Sequence, residues 1–275
     1  MNRIINKGQL SENVFKMTVE APEIAAQRKA GQFVVIMTEE KGERIPLTIV
    51  DSDAQNGTIT IIFQVVGKTT ICLAAMEEGD DLFAVLGPLG VPTEMGLFGT
   101  SVVVGGGVGI GVAYPIIRAL KDAGNNVIAI IGARTKDILI LEDDIRKICD
   151  RLIVSTDDGS YGVHGFVTDV LRDLIESGTV IDRVFAIGPV QMMKFLCEVT
   201  RSYHIKTIVS LNPIMVDATG MCGACRVSVG GETKLACVEG PEFDGHAVDF
   251  DLLTSRLRMY CDEEEEARRG CRCHE

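Results

Sequence analysis

The sequence lacks any continuous apolar run long enough to cross a bilayer, although hydrophobic residues make up 46% of its 275 residues. The first nine residues are polar and lack the apolar core of a signal peptide. Positive charge is also scarce, because 39 Asp and Glu outweigh 27 Lys and Arg and give a formal net charge of −12. These absences argue against a membrane protein and against a nucleic-acid binder, which needs clustered cations. We therefore expect a soluble cytoplasmic protein.

The chain is long enough for two domains and a small appendage. Its first part alternates apolar and polar residues in short stretches with turn signals between them, which predicts a small antiparallel barrel. From Ser101 onward, buried-type strands alternate with helical stretches, one of them over 138–149, which is typical of a doubly wound parallel sheet. The predicted parts are a barrel (1–97), an α/β nucleotide domain (98–211), a metal segment (212–250) and a terminal helix and tail (251–275), the helix spanning 250–267.

Nine cysteines without a signal peptide indicate reduced thiols and metal ligands rather than disulfides. Cys222 and Cys225 form a Cys-x2-Cys pair, and Cys237 follows at a distance. Plant-type [2Fe–2S] sites use Cys-x4-Cys-x2-Cys and a distant fourth Cys, and here Asp217 occupies the first position. Because a carboxylate can replace a thiolate as an anionic ligand, the spacing predicts a [2Fe–2S] cluster. Structural zinc and scattered thiols are the alternatives.

A glycine-rich turn, Gly105–Gly111, lies between a Val-rich strand and a helix, where backbone N–H groups can approach a pyrophosphate. A tight connection without a ligand is the alternative. Asp157 and Asp158 end the third strand, where a carboxylate accepts hydrogen bonds from an unphosphorylated ribose and repels a 2′-phosphate. This favours NADH, although Arg134 and Arg151 are available to bind a 2′-phosphate, so NADPH stays open. The two aspartates could also be turn formers alone.

In the barrel half, Pro46-Leu47-Thr48 and the stretch from Gly67 to Thr70 could be an ordinary strand end and helix cap. Their order along the chain is more informative than their composition. Pro-Leu-Thr comes first, then Gly-Lys-Thr-Thr, then Gly87-Pro-Leu-Gly90, and then the glycine-rich turn.

That order resembles the ferredoxin–NADP⁺ reductase superfamily, and the resemblance covers nearly the whole chain. With an iron–sulfur segment at the end, the chain is similar to the group that contains the electron-transfer subunit of dihydroorotate dehydrogenase. Asp217 and the stretch that follows Cys237 resemble the small (alpha) subunits of NADH-dependent ferredoxin:NADP⁺ oxidoreductases. Two departures are visible. Arg44 stands one residue earlier than the family's flavin arginine, and Ile187-Gly188-Pro189 replaces Cys-Gly-Pro.

The resemblance implies a barrel that binds FAD, a sheet domain that binds NAD(H) and a [2Fe–2S] segment. The implied flavin residues are Pro46, Leu47, Thr48, Ile49, Phe63, Val65, Gly67, Lys68, Thr69 and Thr70. The candidates for the nicotinamide nucleotide are Gly107, Gly109, Gly111, Asp157, Asp158, Gly188 and Pro189. The candidate metal ligands are Asp217, Cys222, Cys225 and Cys237. Hydride transfer requires alignment more than acid–base groups, so no catalytic side chain is expected.

The function implied is an oxidoreductase subunit that exchanges a hydride between NAD(H) and FAD and single electrons through the cluster. The implied partner is a larger subunit with FAD and [4Fe–4S] clusters that resembles the small subunit of glutamate synthase, in an electron-bifurcating enzyme that couples NADH, NADPH and ferredoxin. The alternatives are an NADH-linked dihydroorotate dehydrogenase subunit and a non-catalytic redox sensor. Cys261, Cys271, Cys273 and His274 have no assigned role, since they could bind metal or belong to a frayed tail.

Overall fold

The computed structural model describes residues 2–270, so the tail residues Cys271, Cys273 and His274 lie outside the described part. Strands β1 to β7 are Asn2–Ser11, Val14–Glu20, Phe33–Met37, Ile45–Asp53, Thr58–Gln64, Asp81–Leu82 and Ala84–Leu89. Strands β8 to β13 are Thr100–Gly106, Asn126–Ala133, Arg151–Thr156, Val163–His164, Arg183–Ile187 and Lys206–Ser210. Strands β14 to β16 are Arg226–Val229, Glu232–Leu235 and Glu242–Asp244.

Helices α1 to α5 are Pro22–Gln27, Lys68–Ala75, Gly109–Asp122, Glu142–Ile148 and Val167–Glu176. Helices α6 to α9 are Val190–Ser202, Ala236–Glu239, Phe250–Leu257 and Cys261–Arg269, and Lys136–Ile138 forms a 3-10 turn. None of the helices within residues 2–270 is both long and apolar enough to span a membrane.

The first seven strands form one antiparallel sheet in the order β6-β1-β2-β5-β4-β3-β7. Alternation in the sequence decides which side chains enter its core. On β5, for example, Ile59, Ile61 and Phe63 are all buried, because every second residue faces the same side. The strongly curved sheet is the predicted barrel.

The second sheet has the order β11-β10-β9-β8-β12-β13-β16, and its first six strands run parallel. Its central strands are apolar throughout, as expected when helices cover both faces. Val102 and Val104 pack with α5 and α6 on one face, while Val103 packs with α3 on the other. The predicted fold class, a barrel followed by a doubly wound sheet and a small C-terminal segment, is confirmed.

Two predicted helices were wrong in extent. The helix over 138–149 begins only at Glu142, because Leu141 adopts a left-handed backbone conformation with φ 57° that a helix cannot include. The terminal helix over 250–267 is two helices separated by residues 258–260. The predicted domain limits remain predictions. The strand β16 forms one edge of the second sheet and pairs antiparallel with β13, although it lies inside the predicted metal segment.

Candidate functional site

A cleft of about 890 Å³ lies between the barrel and the parallel sheet. Phe33, Pro46 and Thr48 line the cleft on the barrel side. The other wall is made by the segments that follow β8, β9, β10, β12 and β13. Since the carboxyl ends of parallel strands meet at one edge of a sheet, this is where such folds bind nucleotides.

The predicted glycine-rich turn lies in this cleft at the start of α3. Gly107 and Gly109 both line the cleft. A Cβ atom at Gly109 would lie 2.7 Å from the carbonyl oxygen of Ile187, so only glycine fits between the two turns. The turn therefore presents bare backbone and a helix N-terminus, the arrangement that binds a pyrophosphate. Gly111 does not line the cleft, and it lies where α3 packs against Ile62 of the barrel.

A second glycine turn, Gly188-Pro189, follows β12 and lines the same cleft. A Cβ at Gly188 would lie 2.6 Å from the methyl carbon of Met192, and a Cβ at Gly106 would clash with the Met192 sulfur. The side chain of Met192 thus packs against both turns because Gly106 and Gly188 carry no Cβ. It also lines the cleft, and the sequence interpretation missed it as a site residue. Phe166 and Phe195, which are more than half exposed, line the cleft as well and were also missed, since isolated aromatic residues carry no motif.

The two predicted aspartates separate in the structure. Asp157 lines the cleft together with Arg134. The pKa of Asp157 is raised, mainly by burial. The charge of Arg134 opposes this shift, and the charge of Asp158 adds to it. Asp158 does not line the cleft, and its carboxylate accepts hydrogen bonds from the hydroxyl and the N–H of Ser160 at 2.7 and 3.0 Å, which lower its pKa. Asp158 therefore stabilises the turn, while Asp157 is the carboxylate that lines the cleft, and its role as a ribose acceptor stays a prediction.

The predicted flavin residues also divide into two groups. Pro46 and Thr48 line the cleft, whereas their neighbours on β4 point into the barrel. Ile49 and Phe63 are almost completely buried in the barrel core, and Leu47 and Val65 pack against that core. Strand alternation explains the division, because adjacent residues of a strand face opposite sides.

The stretch from Gly67 to Thr70 begins α2 and does not line the cleft. The hydroxyl oxygen of Thr70 accepts hydrogen bonds from the N–H groups of Val66 and Gly67, both at 3.0 Å. The hydroxyl of Thr69 donates to the Glu43 carboxylate. These contacts hold the start of the helix, so a role of Lys68 and its neighbours in flavin binding stays a prediction.

Three of the predicted metal ligands lie in or beside a tight loop before β14, and Cys237 lies on α7. The sulfur atoms of Cys225 and Cys237 are 3.1 Å apart and buried, while Cys222 is exposed. The loop coils closely because Ala218, Gly220 and Gly223 have positive φ, and Ala218 is buried there. Within residues 2–270, no three Cys, His, Asp or Glu side chains converge as a complete metal site.

The loop nevertheless has the chemistry that an iron–sulfur cluster requires. The N–H of Ala224 points at the Cys222 sulfur at 3.5 Å and lowers the pKa of that thiol. Burial and the adjacent Cys225 thiol raise the pKa of Cys237 to about 12, while the N–H of Gly220 opposes them. Backbone N–H groups directed at sulfur stabilise anionic sulfur and tune cluster potentials. The residues present therefore fit a cluster held by Cys222, Cys225, Cys237 and Asp217.

The Asp217 carboxylate is bound by Arg44 and by Thr219. One carboxylate oxygen accepts a hydrogen bond from Arg44 Nη1 at 2.9 Å, and the other accepts from the hydroxyl and N–H of Thr219. The Thr219 hydroxyl makes the largest contribution to a lowered pKa of Asp217, and Arg44 lowers it further. The side chain is thus an ionised carboxylate, the form that can bind a metal.

Comparison with known proteins adds a direct match at this loop. The family described as the iron–sulfur cluster binding domain of dihydroorotate dehydrogenase B matches residues 212–249. The electron transfer subunit homolog of dihydroorotate dehydrogenase B from Thermotoga maritima is 49% identical over 265 residues, covering 96% of this chain and 93% of the relative. The electron transfer subunit from Geobacillus thermodenitrificans is 33% identical, covering 87% of this chain and 94% of that protein.

This chain belongs to the family of dihydroorotate dehydrogenase B electron transfer subunits and their homologues. A solved structure of the NADH-dependent reduced ferredoxin–NADP oxidoreductase, described in a study of flavin-based electron bifurcation, is 48% identical with a TM-score of 0.93. That match covers 97% of this chain and 96% of the other. The predicted electron-transfer flavoprotein subunit, an oxidoreductase component with FAD, NAD(H) and a [2Fe–2S] cluster, is confirmed. An electron-transfer subunit implies a larger partner subunit.

Proposed function

We propose that this chain is the small subunit of an electron-bifurcating NADH-dependent ferredoxin–NADP oxidoreductase. The observation that carries the proposal is the cleft, in which the barrel strand with Pro46 and Thr48 faces the glycine turns at Gly107 and Gly188. Such a cleft can hold a flavin against a nicotinamide. The high similarity to the solved oxidoreductase, which includes nearly the whole of both chains, supports this assembly.

When bound, FAD supplies a hydride acceptor and the [2Fe–2S] cluster a one-electron carrier. The residues of the chain bind and align these groups. The N–H of Gly107 donates to the carbonyl oxygen of Gly132 at 2.9 Å, so the turn would offer the N–H of Gly109 to a pyrophosphate, and Asp157 would accept hydrogen bonds from a ribose. The hydroxyl of Thr48 lies on the barrel wall of the cleft and can bond to a polar edge of the flavin. Apolar side chains such as Met192 exclude water from the reacting faces.

The proposed partner is a larger subunit that resembles the small subunit of glutamate synthase and carries FAD with [4Fe–4S] clusters. Through it the chain would be linked to ferredoxin and NADP(H), in the cytoplasm. The family is one of electron-transfer subunits, and the solved oxidoreductase is named for NADH, ferredoxin and NADP.

A second candidate is the electron-transfer subunit of an NADH-linked dihydroorotate dehydrogenase. The names of the relatives from Thermotoga maritima and Geobacillus thermodenitrificans favour it. Both candidates need the same cleft and the same cluster segment. Only the partner and the final acceptor distinguish them.

The deciding experiment is anaerobic affinity purification of the chain from its native cells, followed by mass spectrometry of the co-purifying subunit. A large flavoprotein related to the small subunit of glutamate synthase is the expected result. A dihydroorotate dehydrogenase catalytic subunit would replace the first candidate with the second. The purified complex is then assayed for NADH-dependent dye reduction, and a flavin-free complex that reduces no dye would favour the redox-sensor alternative and contradict both enzymes.

A further inference from the structure

Three arginines from different parts of the chain hold the loop 217–225. Arg226, at the start of β14, donates from Nη1 to the carbonyl oxygen of Gly223 at 2.9 Å. Arg256, on α8, donates from Nη2 to the carbonyl oxygen of Ala224 at 3.1 Å. Arg44 donates to the Asp217 carboxylate at 2.9 Å. In a chain with a formal net charge of −12, this loop is surrounded by positive charge.

Arg44 differs from the other two arginines in the group to which it bonds and in the part of the chain from which it comes. It bonds to the side chain of a candidate cluster ligand, whereas Arg226 and Arg256 bond to main-chain carbonyls. It also comes from the barrel, 173 residues earlier in the chain. The pair is partly open to solvent, with 43% of the Arg44 side chain and 22% of the Asp217 side chain exposed. Such partly exposed ion pairs contribute little to the stability of a fold, so stability alone does not explain why Arg44 is placed beside Asp217.

The position of Arg44 links the proposed flavin site to the cluster loop. The preceding residue, Glu43, accepts the hydrogen bond from Thr69 at the start of α2. The strand that follows begins at Ile45, and its residues Pro46 and Thr48 line the cleft. The family's flavin arginine therefore has no direct counterpart here, and the arginine one residue earlier reaches the cluster segment instead.

We infer that Arg44 is a positioning residue for the iron–sulfur centre, which it serves by fixing the Asp217 carboxylate and supplying positive charge beside it. The inference rests on the proposed function to the extent that a cluster is bound by Asp217 and the three cysteines. A cation near a redox centre favours the state with one more electron, so Arg44 makes the cluster easier to reduce. A ligand that is hydrogen-bonded to a guanidinium also donates less charge to the metal, which acts in the same direction.

The test uses the complete chain, purified anaerobically with its flavin and cluster, in the variants Arg44→Gln, Arg44→Lys and Arg226→Gln. The cluster is titrated redox-potentiometrically and followed by EPR. We expect Arg44→Gln to move the midpoint potential to a more negative value and to change the g-values of the reduced cluster. Arg44→Lys restores the midpoint in part, because it keeps the charge. Arg226→Gln, the matched control, removes a cation from the same loop without changing the g-values.

Hydrogen exchange supplies a readout that needs no redox step. In Arg44→Gln, the amides of residues 217–221 exchange faster than in the parent chain, while Arg226→Gln affects mainly those of residues 223–226. Arg44→Gln is also made in the Asp217→Cys background, where it loses its effect on the g-values, since the ligand to which it bonds is gone.

The inference is overturned if Arg44→Gln and Arg226→Gln shift the midpoint potential equally and leave the g-values unchanged. It is also overturned if Arg44→Gln changes the g-values as much in the Asp217→Cys background as in the parent chain. Either result would make Arg44 a source of general positive field only. A parent chain without iron or a [2Fe–2S] EPR signal is a different result. It would contradict the proposed cluster itself, before any variant is compared.

Discussion

The cleft and the cluster segment present different chemistry to the groups they are proposed to bind. In the cleft two turns present bare main chain, at Gly107 and Gly109 after β8 and at Gly188 after β12. In the cluster segment the donors are side chains, and the main chain contributes N–H groups around them. The glycine turns should therefore tolerate no added Cβ, whereas the cluster loop should tolerate no loss of a ligand.

The largest effect is expected where a sulfur ligand is removed. Cys222→Ala should lose most of the iron and the visible absorption of the cluster, because three donors cannot complete a four-ligand site. Cys222 is exposed, so the fold should remain intact. Iron and acid-labile sulfide are measured together with NADH binding, which should be unchanged. Cys261→Ala, at another exposed cysteine, is the control. Full iron content in Cys222→Ala would contradict the ligand assignment.

The second prediction concerns the glycine turn of the cleft, to which a substitution by alanine adds a single carbon. In Gly109→Ala the new Cβ would lie 2.7 Å from the carbonyl oxygen of Ile187, so the two turns must move apart. We expect NAD⁺ binding to weaken roughly 10- to 100-fold, about 1.4–2.8 kcal/mol, with the cluster retained. Titration of the flavin-loaded protein with NAD⁺ measures the affinity.

Gly111→Ala is the matched control for that change, because its Cβ would lie 3.4 Å or more from Ile62 and inside a helix. Equal loss of affinity in the two variants would show that general damage to α3, rather than the approach of the two turns, determines binding.

A half-buried carboxyl group in the cluster segment, Glu242, gives a pH dependence. The Thr93 hydroxyl donates to Oε1 of Glu242 on β16 at 2.6 Å, and burial raises the pKa of Glu242 from 4.5 to about 7. The folded chain thus holds this proton more tightly than the unfolded chain. The stabilisation is complete below about pH 4.5 and is lost as the pH rises through 7, by at most about 3 kcal/mol.

Glu242→Gln should remove this dependence, so that the urea midpoint falls less between pH 5 and pH 8 than it does in the parent chain. Asp244→Asn, at an exposed position of the same strand, is the control and should keep the fall. A fall of the same size in Glu242→Gln would mean that other groups determine the pH response.

The smallest expected effect concerns Asp157, the carboxylate that lines the cleft. Asp157→Ser removes the carboxylate that repels a 2′-phosphate while Arg134 remains. We expect the preference for NADH over NADPH to fall about tenfold, close to 1.4 kcal/mol. The ratio of kcat/KM for the two nucleotides in dye reduction measures it. Asp158→Ser should leave the ratio unchanged, and an equal change in both variants would refute the distinction between them.

The same contrast explains how much could be predicted from the sequence. Glycine turns and cysteine spacing are local, so the turn at Gly107, the pair Cys222 and Cys225, and the order of barrel and sheet were all visible. Contacts between distant segments were not. Nothing near Arg44 in the sequence indicates Asp217 as its partner, and nothing near Gly106 or Gly188 indicates that Met192 packs against both.

Local strain also escaped prediction. The left-handed conformation of Leu141 shortens α4, although the surrounding residues have a helical pattern. Likewise, strand alternation decides that Leu47 faces the barrel and Thr48 the cleft, whereas a motif that is matched as a string treats the two alike.

The short strand β16 limits how this protein can be divided. It hydrogen-bonds along the edge of β13, and Pro241 beside it accepts a bond from the N–H of Leu211. A chain ended after residue 211 would leave the N–H and C=O groups on the β16 side of β13 unpaired, and such an exposed strand edge is a common origin of aggregation. The iron–sulfur segment is therefore not an independent structural unit that can be removed from the sheet. Fusions or truncations that exchange it should preserve residues 240–244 with the sheet, even when the ligand loop itself is replaced.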